Sequence, residues 1–260
     1  MPKMTEEEAD ALDDFVTNNP PKVDPSKARH VLVWGCSMIE KKKLSVVHIV
    51  AYFVIFFVLW SIRELVIRPV FLDALDGITF QIAETVMKLL VWTIPAILLI
   101  KRYQDDMIIS LKEMFINRPA WFKDAPVLAI IIFVPLLQAW MAFGAFSIHT
   151  DFQPVKLIES VIFVGITEEI VFRGFLLNAT LKKMKLWSAI AINAVLFLLI
   201  HFPIWIYFEY DLFTFFRSGV AVLVLSGLFA FSFVKTKNII VPIALHMIWN
   251  LLTVVFFGNT

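Results

Sequence analysis

The sequence predicts an all-α fold, a polytopic transmembrane helix bundle of about seven, or eight, spans. Three observations predict it. The chain of 260 residues is 60% hydrophobic, whereas soluble domains run at about 45–50% apolar. Its apolar residues gather into recurring runs close to the ~20 residues a helix needs to cross a hydrocarbon core. Its lysines and arginines cluster in alternate connections between those runs, as cytosolic loops do.

In chain order, residues 1–43 read as a cytosolic N-terminal segment. Thr5-Glu6-Glu7-Glu8 is suited to capping a short helix, and Asn18-Asn19-Pro20-Pro21 breaks it. Pro25 to Lys43 has the makings of an interfacial helix, with Val31, Leu32 and Trp34 toward lipid and Lys41, Lys42 and Lys43 toward headgroups. A solvated tail competes with that reading. Met1 to Asp14 is acidic and polar, unlike a cleaved signal peptide.

Residues 44–260 read as one transmembrane bundle, with spans at about 44–62, 80–100, 126–147, 155–178, 186–208, 212–234 and 239–257. The second is shortened by Glu84 and Lys88. Between the second and third, Asp105 to Arg118 places Ile108, Leu111 and Phe115 on one side and stops before Pro119, as an interfacial amphipathic helix does. Lysines and arginines crowd the connections at 41–43, 101–123, 182–185 and 235–237, and the alternate ones hold few. This places the N-terminus in the cytosol and the C-terminus outside.

Composition also excludes functions. The formal net charge is +1, so there is no basic footprint for nucleic acid. Cys36 is the single cysteine, which removes an intramolecular disulfide framework and a cysteine metal cage.

Function is sought among polar residues inside apolar runs, because a charge at the bilayer centre costs about 2.5–3.5 kcal/mol on insertion scales. Gly165-Ile166-Thr167-Glu168-Glu169-Ile170-Val171-Phe172-Arg173-Gly174 holds two acids and a base. Glu169 and Arg173, at i and i+4, can neutralise each other. Glu168 is turned about 100° away and is left for chemistry. In the fifth span Phe197 lies one turn before His201, and Asn193 two turns before it on the same face. In the last span His246 and Asn250 stand at i, i+4 and aim at one spot. For His48 an interhelical hydrogen bond is the expectation, and Glu84, Lys88, Glu159 and Arg217 are assigned interfacial or ion-pairing roles without function.

Glu168, His201, His246 and Asn250 sit on three helices at compatible depth, a costly arrangement unless they line a wet cavity. A carboxylate and an imidazole can take a proton from a shared water. A second imidazole and an amide can donate to an oxygen that becomes negative during attack on a peptide bond. A glutamate with two histidines is also a zinc ligand set. However, no H-E-x-x-H is present and asparagine is a poor zinc ligand, which favours metal-free chemistry with no cofactor.

The motifs E-E-x-x-x-R (Glu168, Glu169, Arg173), F-x-x-x-H (Phe197, His201) and H-x-x-x-N (His246, Asn250), in that order and each in its own apolar span, resemble the CAAX protease and bacteriocin-processing family. That family includes the Ras-converting CAAX endopeptidases. The resemblance covers about residues 125–257, and the first 125 residues add nothing to it. It implies a glutamate-dependent intramembrane endopeptidase with a membrane-embedded catalytic cavity. Glu168 and His201 would activate the water, His246 and Asn250 would form the oxyanion site, and Glu169 and Arg173 would support its geometry. Substrates would be peptides or proteins at the membrane, with or without a lipid group. The compact chain with short loops looks like a prokaryotic cell-membrane member. A non-proteolytic bacteriocin self-immunity protein is the alternative, and a proton-coupled transporter is disfavoured because paired Gly/Pro-broken helices are missing.

Overall fold

A computed structural model describes residues 43–118, 124–150, 152–155 and 157–258. The expected capped helix and interfacial helix of residues 1–42 lie outside the described residues. Among the described residues the regular structure is helical throughout, with no strand.

Helix α1 (Val46–Ala74) starts at Ser45, whose hydroxyl accepts from the His48 amide while the His48 ring returns to the Ser45 backbone. His48 therefore completes a capping box and is not the interhelical bridge expected of it. Helix α2 (Gly77–Arg102) is capped by Asp76, which accepts from the amides of Ile78 at 3.1 Å and Thr79 at 2.9 Å. It is longer than its apolar stretch suggested, because Glu84 and Lys88 are buried against partners. Helix α3 (Leu111–Ile116) is short and capped by Ser110 with Glu113. Around it Met107, Ile109 and Met114 turn inward, whereas Ile108 and Phe115 stay exposed.

Helix α4 (Ala125–Phe143) ends at Gly144, whose φ of +67° terminates the span earlier than expected. Helix α5 occupies 157–181 and alternates between α-helical and wider π-helical turns. Helix α6 (Leu186–Tyr207) is interrupted at Ile200–His201, ahead of Pro203. Helix α7 (Leu212–Thr236) starts at the Asp211 cap, and α8 (Ile240–Phe257) ends at Gly258.

Six of these helices (α1, α2, α4, α6, α7 and α8) are long and apolar enough to cross a membrane, so the chain is a multi-pass integral membrane protein. The acids and arginine of α5 lower its apolarity, yet it runs the same length and is enclosed by the others. Of its residues 170–180, nearly all are fully buried.

Two buried clusters organise the bundle. The larger joins α1, α2, α5 and α6 through Phe56, Trp92, Phe172, Phe175 and Phe197. The smaller joins α4, α7 and α8 through Ile131, Phe229 and Leu245. Helices α5 and α8 approach closely at Gly165, where a Cβ would stand 2.9 Å from the Met247 side chain. That approach brings the acids of α5 to the histidine of α8.

The lysine-rich connections meet at one end of the bundle. There the Leu44 amide donates to Asp106 at 2.8 Å, Asn117 donates to the Lys237 carbonyl at 3.0 Å, and the Ile239 amide donates to the Met114 carbonyl at 2.9 Å. At the opposite end Tyr207 reaches Asp73, and the His149 amide donates to the Val255 carbonyl at 2.9 Å.

Candidate active site in the helix bundle

In the middle of α5, Glu168 and Glu169 close an α-helical stretch (Val164–Glu169) between two π-helical segments, and Arg173 lies within the second of these. Such widened turns recur at functional sites because they redirect side chains without breaking the helix. Glu169 and Arg173 are both 0% exposed. The Arg173 guanidinium donates to Glu169 Oε1 at 3.1 Å and, across to α7, to the Ser226 carbonyl at 3.0 Å and hydroxyl at 2.8 Å. It also lies over the Phe197 ring, 4.6 Å from its centroid. One fork thus ties three helices together, in keeping with the planar, multi-donor geometry of arginine.

His246 on α8 lies between the two glutamates. Its Nδ1 is 2.9 Å from Glu169 Oε1, and its Nε2 is 3.9 Å from Glu168 Oε2. The Phe229 ring stacks on it at 5.1 Å. Asn250, one turn further on, donates its amide to the Ser160 carbonyl at 2.9 Å, which leaves the second amide hydrogen of that group for another acceptor.

His201 owes its position to the break in α6. Pro203 has no N–H to offer the preceding turn, and the His201 amide donates to the Leu198 carbonyl at 3.0 Å instead of continuing the α-helical pattern. The Phe197 carbonyl is thereby released and takes the His201 ring, with Nδ1 at 2.8 Å. A carbonyl only accepts, so Nδ1 carries the hydrogen and Nε2 of the neutral ring presents a lone pair. Asn193 is buried and donates to the Phe172 carbonyl at 2.8 Å, which fixes α6 against α5. Phe197 packs edge-on against Phe172 at 4.9 Å.

Glu168 and His201 line one cavity of about 320 Å³. His246 and Asn250 are not among its lining residues; His246 reaches Glu168 of that lining through Nε2, and the Ser160 that holds Asn250 is part of the wall. The rest of that wall belongs to none of the three motifs. Arg63 and Glu64 of α1, Glu84 and Lys88 of α2, and Glu159 of α5 form a buried ion cluster along it. Arg63 pairs with Glu64 and Glu84, Lys88 pairs with Glu159, and Arg68 reaches Glu64 at 3.2 Å. The sequence signal was present, since each is an ionisable residue within an apolar run. What the sequence lacked was their convergence, because they are spread over three helices.

Chemically, the cavity sets a carboxylate and an imidazole lone pair beside a polar, charged wall inside a membrane bundle. It is a place where water can be held and deprotonated, with His246 3.9 Å from Glu168.

Comparison with curated proteins finds no match, and comparison with solved structures finds none either. Residues 150–252, which carry all three motifs, match the family model described as Type II CAAX prenyl endopeptidase Rce1-like, and at the level of that family the match supports a CAAX-type endopeptidase acting on a peptide or protein at the membrane.

Proposed function

We propose that this protein is a glutamate-dependent intramembrane endopeptidase in which Glu168 and His201 activate a water for attack on a peptide bond. The observation that carries this is the shared cavity: Glu168 and His201, from different helices, line the same space, and the ring of His201 is anchored through Nδ1, which leaves Nε2 outside that bond. The water gives a proton to this pair as its oxygen bonds to the carbonyl carbon. The carbonyl oxygen becomes negative and is stabilised by the second amide hydrogen of Asn250 and by His246 as an imidazolium, whose Nδ1–H is taken by Glu169 and whose Nε2–H is the one left to donate. The C–N bond then breaks as the abstracted proton is delivered to the leaving amine, and no covalent enzyme intermediate or metal is used.

In this mechanism Glu169 and Arg173 are positioning residues. Their pair holds His246 through the 2.9 Å contact and anchors α5 to α7. Phe197 supplies the carbonyl that orients His201, and Asn193 holds the helix bearing it. On the charge bias of its connections, the lysine-rich end of the bundle faces the cytosol in this reading.

The test compares membrane proteomes of cells carrying the wild-type chain or Glu168→Ala, with new C-termini read by mass spectrometry. Cleavage products present with the wild type and missing with Glu168→Ala are expected. Identical C-termini in both, with Glu168→Ala also protecting cells as well as wild type against a bacteriocin, would instead identify a binding protein.

A further inference from the structure

The proposed mechanism makes no use of the ion cluster on the cavity wall. Within that cluster the charges match, with Arg63, Arg68 and Lys88 set against Glu64, Glu84 and Glu159. Arg63 is held by Glu64 and Glu84, and Arg68 reaches Glu64, so Lys88 is the base that neutralises Glu159. A buried ion pair adds little net stability over apolar packing. Its use is to be sought in what it holds.

Glu159 holds Ser160, and Ser160 holds Asn250. Glu159 Oε1 takes the ammonium of Lys88 from α2, and its Oε2 accepts the Ser160 hydroxyl at 2.9 Å. The Ser160 carbonyl then accepts the Asn250 amide of α8 at 2.9 Å. Glu159 and Ser160 both lie in the π-helical segment Leu157–Phe163, a rare wide turn with an i→i+5 ladder. A side-chain anchor at such a turn fixes the direction of its carbonyl. That carbonyl only accepts, so it keeps Nδ2 of Asn250 toward itself. A carboxamide turned over would set Oδ1 against the Ser160 carbonyl and put an acceptor where the oxyanion needs a donor.

We propose that Lys88, Glu159 and Ser160 are positioning residues that act through Asn250, fixing its carboxamide with the amide end available to the developing oxyanion. This rests on the endopeptidase reading for what Asn250 does, whereas the anchoring of Asn250 belongs to the resting protein. Lys88 takes one carboxylate oxygen of Glu159 and leaves the other to the Ser160 hydroxyl. A donor held in place beforehand needs no reorganisation when charge develops, which is where its catalytic value lies. Three helices, α2, α5 and α8, thus contribute to the aim of one amide.

The test uses the full-length chain in detergent and two readouts. Ser160→Ala removes the hydroxyl and keeps the carbonyl, Ser160→Thr restores a hydroxyl, and Lys88→Met combined with Glu159→Gln removes both charges together. The first readout needs no turnover: in protein carrying isotope-labelled asparagine, the side-chain amide signals that vanish in Asn250→Ala belong to Asn250. One of its amide protons is expected to exchange slowly in the wild type and in Ser160→Thr, and to lose that protection in Ser160→Ala and in the charge-pair variant. The second readout is single-turnover cleavage of a reporter peptide. Ser160→Ala should slow the saturated rate about ten-fold, a part of the roughly 10²–10³ that one oxyanion donor supplies, without changing the half-saturating peptide concentration. In an Asn250→Ala background the same change should cost nothing more. Unchanged amide protection in Ser160→Ala and the charge-pair variant, or rate losses that multiply with Asn250→Ala, would overturn the proposal. A wild-type chain with the protected amide but no cleavage would instead overturn the endopeptidase reading and leave the anchoring of Asn250 in place.

Discussion

Glu169 and His246 meet across α5 and α8 at 2.9 Å, and the same carboxylate oxygen also accepts from Arg173 at 3.1 Å. One fully buried oxygen thus joins an arginine that reaches α7 to the histidine nearest Glu168. Removing one member of a buried ion pair leaves the other charge unpaired, at a cost of about 3–5 kcal/mol. Glu169→Ala is therefore expected to lower the folded yield and the melting temperature in detergent as well as turnover. An unchanged melting temperature would show that the pair does not hold the helices together.

Pro203 is expected to matter although it touches no reacting group. With Pro203→Ala the helix regains the missing N–H and can run through His201, which returns the Phe197 carbonyl to the backbone and frees the His201 ring. Turnover should fall about ten-fold, a part of the 10²–10⁴ that general-base catalysis contributes, while thermal stability stays level or rises. Single-turnover cleavage and a melting curve on the same preparation check both halves.

Lys88 and Glu159 bridge α2 and α5 within the cavity wall. Lys88→Met strands a buried carboxylate and is expected to destabilise the protein by about 3–5 kcal/mol. Adding Glu159→Gln should recover most of that loss, since the uncompensated charge is gone. Chemical denaturation of the two single variants and the double variant measures the coupling. Additive losses would mean that the two side chains are independent.

The helix caps outside the membrane give a pH dependence with a definite sign. Backbone and hydroxyl donors from Thr79 hold the Asp76 carboxyl below its usual value, and those from Thr214 do the same for Asp211. The folded-state value is depressed in each case. Their contribution is therefore complete above the unfolded value of about 3.9 and is lost as pH falls through the lower folded value. Asp76→Asn and Asp211→Asn keep a good cap, so their melting temperatures should match wild type at neutral pH. They should fall less steeply than wild type in strong acid. Equal slopes would contradict the capping account.

Much of the bundle was legible in the sequence for a simple reason: crossing a membrane demands long apolar runs, and those are visible without knowing what they touch. The motif residues were visible for the converse reason, since Glu168, Glu169, Arg173, His201 and His246 interrupt such runs. What was not legible depends on partners far away in the chain. His48 reads as a bridge between helices because a histidine in an apolar run carries no mark of the cap it forms with Ser45 once the helix starts there. The cluster of Arg63, Glu84, Lys88 and Glu159 arises only when α1, α2 and α5 pack together. The approach of α5 to α8 at Gly165 likewise depends on Met247, 82 positions away by number, being its neighbour in space.

The most direct test of the central claim is a single-turnover comparison of Glu168→Ala, His201→Ala and the double variant on one reporter peptide, with folding checked in each. Two groups that activate one water act as a unit, so the double variant should be about as slow as either single variant, each losing roughly 10²–10⁴-fold. Losses that multiply, or a Glu168→Ala enzyme that keeps full activity, would contradict the account.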